Sequence, residues 1–166
     1  MKKIVLIMTI VMMALSSNAQ FTKATLQATG LTCAMCSNAI NKALQKISFI
    51  QSVRSDIKNS AFNIVFKQDA EVDIDAIKRA VEDAGFSVGS FKLTGNFNEV
   101  KIAADKEVKI GNETFHFLNT TTQTLNGEKT LLVVDKGFLT AKEFKKYSAA
   151  IKNGQSAGTR IYHVTI

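Results

Sequence analysis

The sequence predicts an α+β protein in which a βαββαβ unit is followed by a small β-rich unit with one helix. Apolar residues alternate with polar ones in several short runs, as in half-buried strands, and recur every three or four residues in others, as in helices. The length of 166 residues suits one domain or two small ones. A large multidomain enzyme is therefore excluded.

Residues 1–19 are predicted to be a signal peptide. Two lysines near the N-terminus precede an apolar run over residues 4–15, and the small residues that end at Ala19 form a site that signal peptidase can cut. The apolar run is shorter than the roughly twenty residues that a membrane-spanning helix needs. We therefore expect the mature chain to begin at Gln20, to be periplasmic or secreted, and not to span a membrane after the signal is removed.

The βαββαβ unit is predicted to span residues 20–94. Its first strand ends at a glycine turn, and its first helix carries apolar residues at positions i, i+3, i+4 and i+7. Two strands, a second helix with acidic residues at its start and a glycine stop, and a last strand follow. The first strand is defined by Ala24, Leu26 and Ala28, and the first helix by Ile40, Ala43, Leu44 and Ile47. The two middle strands are 50–56 and 61–67. The second helix is defined by Ile74, Ile77, Val81 and Ala84 with the stop at Gly85, and the last strand is 86–93.

Residues 95–166 are predicted to form a β-rich C-terminal domain of unknown function, possessing one helix. A polar joint at 94–96 leads into strand-like runs, with hairpin turns expected at 111–112 and 126–127. Thr140 and Glu143 form a capping box for a helix that we expect to end at Asn153-Gly154. The runs expected to be strands are 100–110, 114–118, 130–134 and 161–166.

Cys33 and Cys36 carry the chemistry that the sequence predicts. They are the only cysteines, and they form a C-x-x-C motif between a strand and the first turn of a helix, where the helix dipole and backbone N–H groups stabilise thiolates. Two thiolates suit a soft ion of low coordination number, such as Cu(I) or Hg(II). Zinc is disfavoured, because it needs two more ligands and the only histidines, His116 and His163, lie in the other unit without zinc-finger spacing.

The segment around these cysteines resembles a known family. Residues 30–36 (GLTCAMC), the helix that follows and the later Ala84-Gly85-Phe86 are similar to the heavy-metal-associated domain of copper chaperones, copper-pump N-terminal domains and the periplasmic mercury-binding protein. The resemblance covers about residues 22–93, and it implies a ferredoxin-like sandwich with Cys33 and Cys36 as metal ligands. Leu31 stands where the family usually has methionine, and Phe86 stands where soluble copper chaperones often have tyrosine.

Three interpretations of the cysteine pair are open. In the first, an exported protein captures Cu(I), or alternatively scavenges Hg(II), and exchanges it with a metal-accepting or metal-donating partner such as a membrane efflux component. In the second, the pair performs thiol–disulfide exchange. Thioredoxin-like sites usually have an aromatic residue before the first cysteine and a cis-proline opposite, and this chain contains neither tryptophan nor proline. In the third, the pair forms a structural disulfide in an interaction module.

The remaining residues indicate no catalytic site. No Ser/His/Asp arrangement, phosphate-binding loop or pair of catalytic carboxylates is identifiable, so we expect a non-enzyme. The formal charge of +7 is dispersed, with no run of Lys or Arg longer than two, and nucleic-acid binding is not expected. His116 and His163 are interpreted as surface or hydrogen-bonded histidines of strands, and Met35 as either exposed or packed on the sheet.

Overall fold

The computed structural model describes residues 19–31, 34–103, 106–151 and 160–166. The predicted signal peptide up to residue 18 and Cys33 lie outside the described residues. The predicted helix end at Asn153-Gly154 is wrong, because the last helix ends at Tyr147 with Ser148 as its C-cap. The described elements are, in chain order, β1 (Gln20–Thr29), α1 (Ala34–Gln45), β2 (Ile50–Asp56), β3 (Ala61–Phe66), α2 (Ile74–Asp83), β4 (Ser87–Ile102), β5 (Glu107–Ile110), β6 (Glu113–Phe117), β7 (Gln123–Val133), α3 (Ala141–Tyr147) and β8 (Ile161–Thr165).

The N-terminal half has the predicted βαββαβ order. Its strands lie in the order β2-β3-β1-β4, with antiparallel pairing throughout. The helices α1 and α2 contact each other, α1 contacts β2, and α2 contacts β4. Apolar residues at helical spacing explain this packing, because Ile40, Leu44, Ile74, Ile77 and Val81 are all fully buried. The α+β class is confirmed.

The predicted joint at residues 94–96 is wrong, because these residues lie inside the 16-residue strand β4. Thr94 pairs with β1 on one edge and with Thr130 of β7 on the other, so neighbouring strands satisfy its backbone groups on both sides. Gly95 allows the close approach of β1: a Cβ at this position would lie 2.8 Å from the backbone oxygen of Gln20. The predicted boundary between residues 94 and 95 therefore falls within a strand.

The predicted hairpin at residues 126–127 is also wrong, because both residues lie within β7. Gly127 has φ +71°, and the pairing of β7 with β4 shifts register between Phe97 and Val100. Asn126 Oδ1 accepts a hydrogen bond of 2.8 Å from the backbone N–H of Glu99. The Asn-Gly pair thus accommodates an irregularity inside the strand rather than a turn between two strands.

The strand expected over residues 100–110 is divided between two elements. Its first part ends β4 at Ile102, and its last part is β5, which begins at Glu107. The closing strand and the turn at 111–112 are present as expected, with Gly111 at φ +63° between β5 and β6.

The C-terminal half extends the same sheet. The full order is β2-β3-β1-β4-β7-β8-β6-β5, in which β6 and β8 are parallel and the other neighbours antiparallel. Aromatic side chains of the two halves meet in one core: the ring centroids of Phe91 and Phe138 are 5.8 Å apart, and those of Phe21 and Phe115 are 5.4 Å apart. A smaller cluster around Val134 and Leu139 receives Phe144 and Tyr147 from α3.

Within the part of the chain that the structure describes, the helices are too short and too polar to cross a membrane.

Candidate metal site

The central strand β1 carries the chain to the C-x-x-C segment. β1 ends at Thr29, and Gly30 follows with φ +84°, a conformation that favours glycine. Leu31 is half-buried and packs against the main core. Leu31, which stands where the family usually has methionine, therefore anchors the start of this segment.

Cys36 lies in the first turn of α1, as the sequence predicts. Its side chain is half-buried, whereas Met35 beside it is 83% exposed. Ser37 and Ile40 on the inner side of the helix are buried, and this packing fixes the rotation of the first turn. Of the two orientations expected for Met35, the structure shows the exposed one.

The second candidate ligand, Cys33, lies outside the described residues, so the geometry of the cysteine pair stays a prediction. Elsewhere in the described ranges, no three His, Cys, Asp or Glu side chains are grouped so that they could hold a metal ion.

The end of α2 lies beside this segment. The backbone N–H of Phe86 donates to Val81 O and that of Gly85 to Glu82 O, which is a Schellman ending with Gly85 at φ +88°. The Cδ1 atom of Phe86 is 3.9 Å from the position that a Cβ at Gly30 would take. The glycine stop is confirmed, and the structure brings the Ala84-Gly85-Phe86 motif against the start of the C-x-x-C segment.

The C-terminal half also reaches the strand ends that support this segment. The backbone N–H of Thr140, the N-cap of α3, donates to the backbone oxygen of Gly89 at 3.2 Å. A Cβ at Gly89 would lie 2.7 Å from Cγ2 of Thr29, one residue before Gly30. The loop between β7 and α3 therefore packs on the start of β4, which in turn contacts the end of β1.

The two histidines lie together on β6 and β8. Their ring centroids are 5.3 Å apart, and His163 Nδ1 is 2.8 Å from Oδ1 of Asp135. His163 is thus a hydrogen-bonded histidine, as the sequence suggested. Asp135 itself was missed by sequence reasoning, because its partner is 28 residues away and no local pattern links them.

With this geometry in place, comparison with known proteins identifies the class of the first half. Residues 25–87 match the family model of the heavy-metal-associated domain, so the resemblance is confirmed for that segment. The curated relatives include the probable copper-transporting ATPase HMA5 of Arabidopsis thaliana, 30% identical over 74 residues, which are 45% of this chain and 7% of the ATPase. The chain therefore spans less than a tenth of the length of that relative.

Two solved structures are similar over the same part of the chain. The CopZ metallochaperone is 27% identical with a TM-score of 0.38, over 40% of this chain and 98% of its own. Oxidized MerP from Ralstonia metallidurans CH34 is 28% identical with a TM-score of 0.37, over 42% of this chain and 96% of its own.

Proposed function

We propose that this chain is an exported metal-transfer protein that captures Cu(I) between the thiolates of Cys33 and Cys36. The observation that carries the proposal is the match of residues 25–87 to the heavy-metal-associated domain, together with the position of Cys36 in the first turn of α1. The curated relatives of this segment are copper-transporting ATPases, which supports copper as the cargo.

The proposed chemistry is ligand exchange rather than catalysis. Cu(I) prefers sulfur donors and accepts two-coordinate geometry, so the cysteine pair is sufficient without a third protein ligand. A low coordination number leaves room for a partner thiolate or thioether to enter before one of the original thiolates leaves. Because no bond of a substrate is broken, the protein is not an enzyme under this proposal.

The accessible surroundings of Cys36 support transfer. Met35 is 83% exposed and Cys36 beside it is half-buried, so a partner can approach this side of the first turn from solvent. The partner would be a protein that donates or accepts the metal, such as an efflux component, meeting this chain in the periplasm or outside the cell. Export rests on the N-terminal leader, and a mature N-terminus at Gln20, determined by mass spectrometry, would test it.

The direct test is a Cu(I) competition titration of the reduced protein against a chromophoric chelator. The Cys33→Ser, Cys36→Ser double variant removes both thiolates, and Met35→Leu is the matched control because it changes the intervening exposed residue only. We expect one tightly bound Cu(I) per chain for the parent and for Met35→Leu, loss of binding in the double variant, and much weaker binding of Zn(II).

Absence of Cu(I) binding by the reduced, folded parent would refute the proposal. Tighter capture of Hg(II) than of Cu(I) in matched competitions would instead assign the protein to mercury scavenging. If neither ion binds, the reduction potential of the cysteine pair separates thiol–disulfide exchange from a structural disulfide.

A further inference from the structure

A second cluster of metal-ligating side chains lies in the C-terminal half, on strands that sequence reasoning left without a function. His116 of β6 and His163 of β8 are directly paired across two parallel strands, so their side chains share one face of the sheet. Their ring centroids are 5.3 Å apart, with the ring planes inclined by 53°. His163 is buried and His116 is half-buried, so one imidazole of the cluster is enclosed by protein and the other is more accessible to solvent.

Asp135 holds the His163 ring in one tautomer. Its Oδ1 is 2.8 Å from His163 Nδ1, and its Oδ2 accepts a 2.9 Å hydrogen bond from the backbone N–H of His163. A carboxylate only accepts hydrogen bonds, so Nδ1 of His163 carries a proton and Nε2 is the ring nitrogen left for a metal ion. Both side chains are at most 9% exposed, which protects this hydrogen bond from water. A carboxylate behind a histidine in this way is the usual support of a metal-ligating imidazole.

The separation of the two rings fits a shared ion. A metal–nitrogen bond of about 2.0–2.1 Å places an ion about 3.2 Å from each ring centroid. Two imidazoles that meet at one ion at angles of 90° to 120° then have centroids about 4.5–5.5 Å apart. The observed 5.3 Å lies within this range, so the spacing of the two rings leaves room for one ion between them.

We infer that His116 and His163 form a second metal site, distinct from the cysteine pair, that takes a borderline divalent ion of the Cu²⁺ or Zn²⁺ class. Imidazole nitrogens suit these ions, whereas paired thiolates suit Cu(I), and Cu²⁺ is the tightest binder in the divalent series. In this inference the two imidazoles supply two nitrogen ligands and water completes the coordination. Asp135 acts as a positioning residue.

The test uses the full chain carrying Cys33→Ser and Cys36→Ser, so that thiolates contribute nothing. Cu²⁺ is titrated against a competing chelator, and electron paramagnetic resonance reports nitrogen hyperfine coupling. His116→Gln and Asp135→Asn are the informative variants, and Thr114→Ala, a half-buried position two residues before His116 on the same face, is the matched control. Circular dichroism confirms that each variant is folded.

We expect one Cu²⁺ with nitrogen coupling in the parent and in Thr114→Ala. Affinity should fall at least tenfold in His116→Gln and about 10- to 100-fold in Asp135→Asn. Nitrogen-15 spectra of the metal-free protein should show the Nδ1-protonated tautomer of His163, lost in Asp135→Asn. Unchanged Cu²⁺ affinity in folded His116→Gln, or no nitrogen coupling in the parent, would overturn the site. Unchanged affinity in Asp135→Asn alone would overturn the positioning role.

Discussion

Asp73 shows how a single side chain determines where a helix begins. Its Oδ1 accepts a 2.8 Å hydrogen bond from the backbone N–H of Ala76, and its backbone is extended, as an N-cap requires. The run of acidic residues before α2 had predicted this start from the helix dipole. The cap satisfies one of the backbone donors that the first turn leaves without an intrahelical partner.

Asp73→Ala should therefore lower the free energy of unfolding by about 1 kcal/mol, the usual cost of losing such a cap. Asp83→Ala is the matched control: it removes an exposed carboxylate from the last residue of the same helix, where negative charge is unfavourable. Urea denaturation monitored by circular dichroism measures both. Equal destabilisation by the two substitutions would contradict the capping role.

Gly89 marks a close contact next to the candidate metal site. A Cβ at this residue would lie 2.7 Å from Cγ2 of Thr29, closer than real side chains approach. Its other neighbours, Gln27 O at 3.6 Å and Thr140 Cγ2 at 3.8 Å, are at ordinary contact distance. The space at Gly89 is therefore limited by one methyl group.

Gly89→Ala should destabilise the fold by about 1–3 kcal/mol, the range for overpacking a tight contact. Adding Thr29→Ser removes the obstructing methyl and should recover most of that loss, although Thr29→Ser alone changes little. A double-mutant cycle from chemical denaturation gives the coupling between the two positions. Additive effects would show that another contact limits the space.

At the scale of elements, the first turn of α2 is joined to β6 and β8 of the C-terminal half. Arg160 Nε lies 3.2 Å from Oδ2 of Asp75, and the Arg160 guanidinium lies 4.6 Å from the centroid of the Tyr162 ring. Burial, together with the nearby carboxylates of Asp73 and Asp75, raises the pKa of Glu113 above 4.5 in the folded protein. The same junction raises the pKa of Tyr162, mainly through burial.

Stability at this junction should depend on pH through Glu113. Because its pKa is raised in the folded state, the folded protein binds the proton more tightly than the unfolded chain does. The contribution of this tighter proton binding to the free energy of unfolding is complete below pH 4.5, and it is lost as pH rises through the folded-state pKa of Glu113.

Glu113→Gln removes this dependence, so the variant should gain stability relative to the parent as pH rises from 4 towards 7. Urea titrations at several pH values measure the difference, with exposed Glu128→Gln as the control. A stability difference between parent and Glu113→Gln that stays constant with pH would refute the role of Glu113.

At the scale of the whole molecule, the two halves share one sheet and one core. β4 pairs with β1 on one edge and with β7 on the other, and the rings of Phe91 and Phe138 pack across the predicted boundary. Separating the halves would expose this apolar surface to water. The match to the heavy-metal-associated domain ends at residue 87, at the start of β4, so the strand that closes this domain also begins the extension.

The whole chain should therefore unfold in one cooperative transition. Both tyrosines lie after residue 94 and the chain has no tryptophan, so tyrosine fluorescence follows the C-terminal half. Ellipticity at 222 nm follows chiefly α1 and α2, because these are longer than α3. We expect the two signals to give coincident urea transitions. Two separate midpoints would show that the halves fold independently, as two small domains would.

The sequence by itself determined the elements whose signals are local. Helical spacing, the acidic start of α2, the stop at Gly85 and the capping pair of Thr140 and Glu143 all act within a few residues, and each was found where predicted. The family match covers the segment around Cys36. The roles of Cys33 and Cys36 as metal ligands and the export signal stay predictions.

For the remaining segments, the local sequence is compatible with more than one structure, and only the tertiary structure decided between them. A polar, glycine-containing stretch such as 94–96 suits a loop as well as a strand, and pairing with both β1 and β7 makes it a strand. Asp135 and His163 meet because β7 and β8 are neighbours in the sheet. Such pairings depend on residues far apart in the chain, and no short sequence pattern contains them.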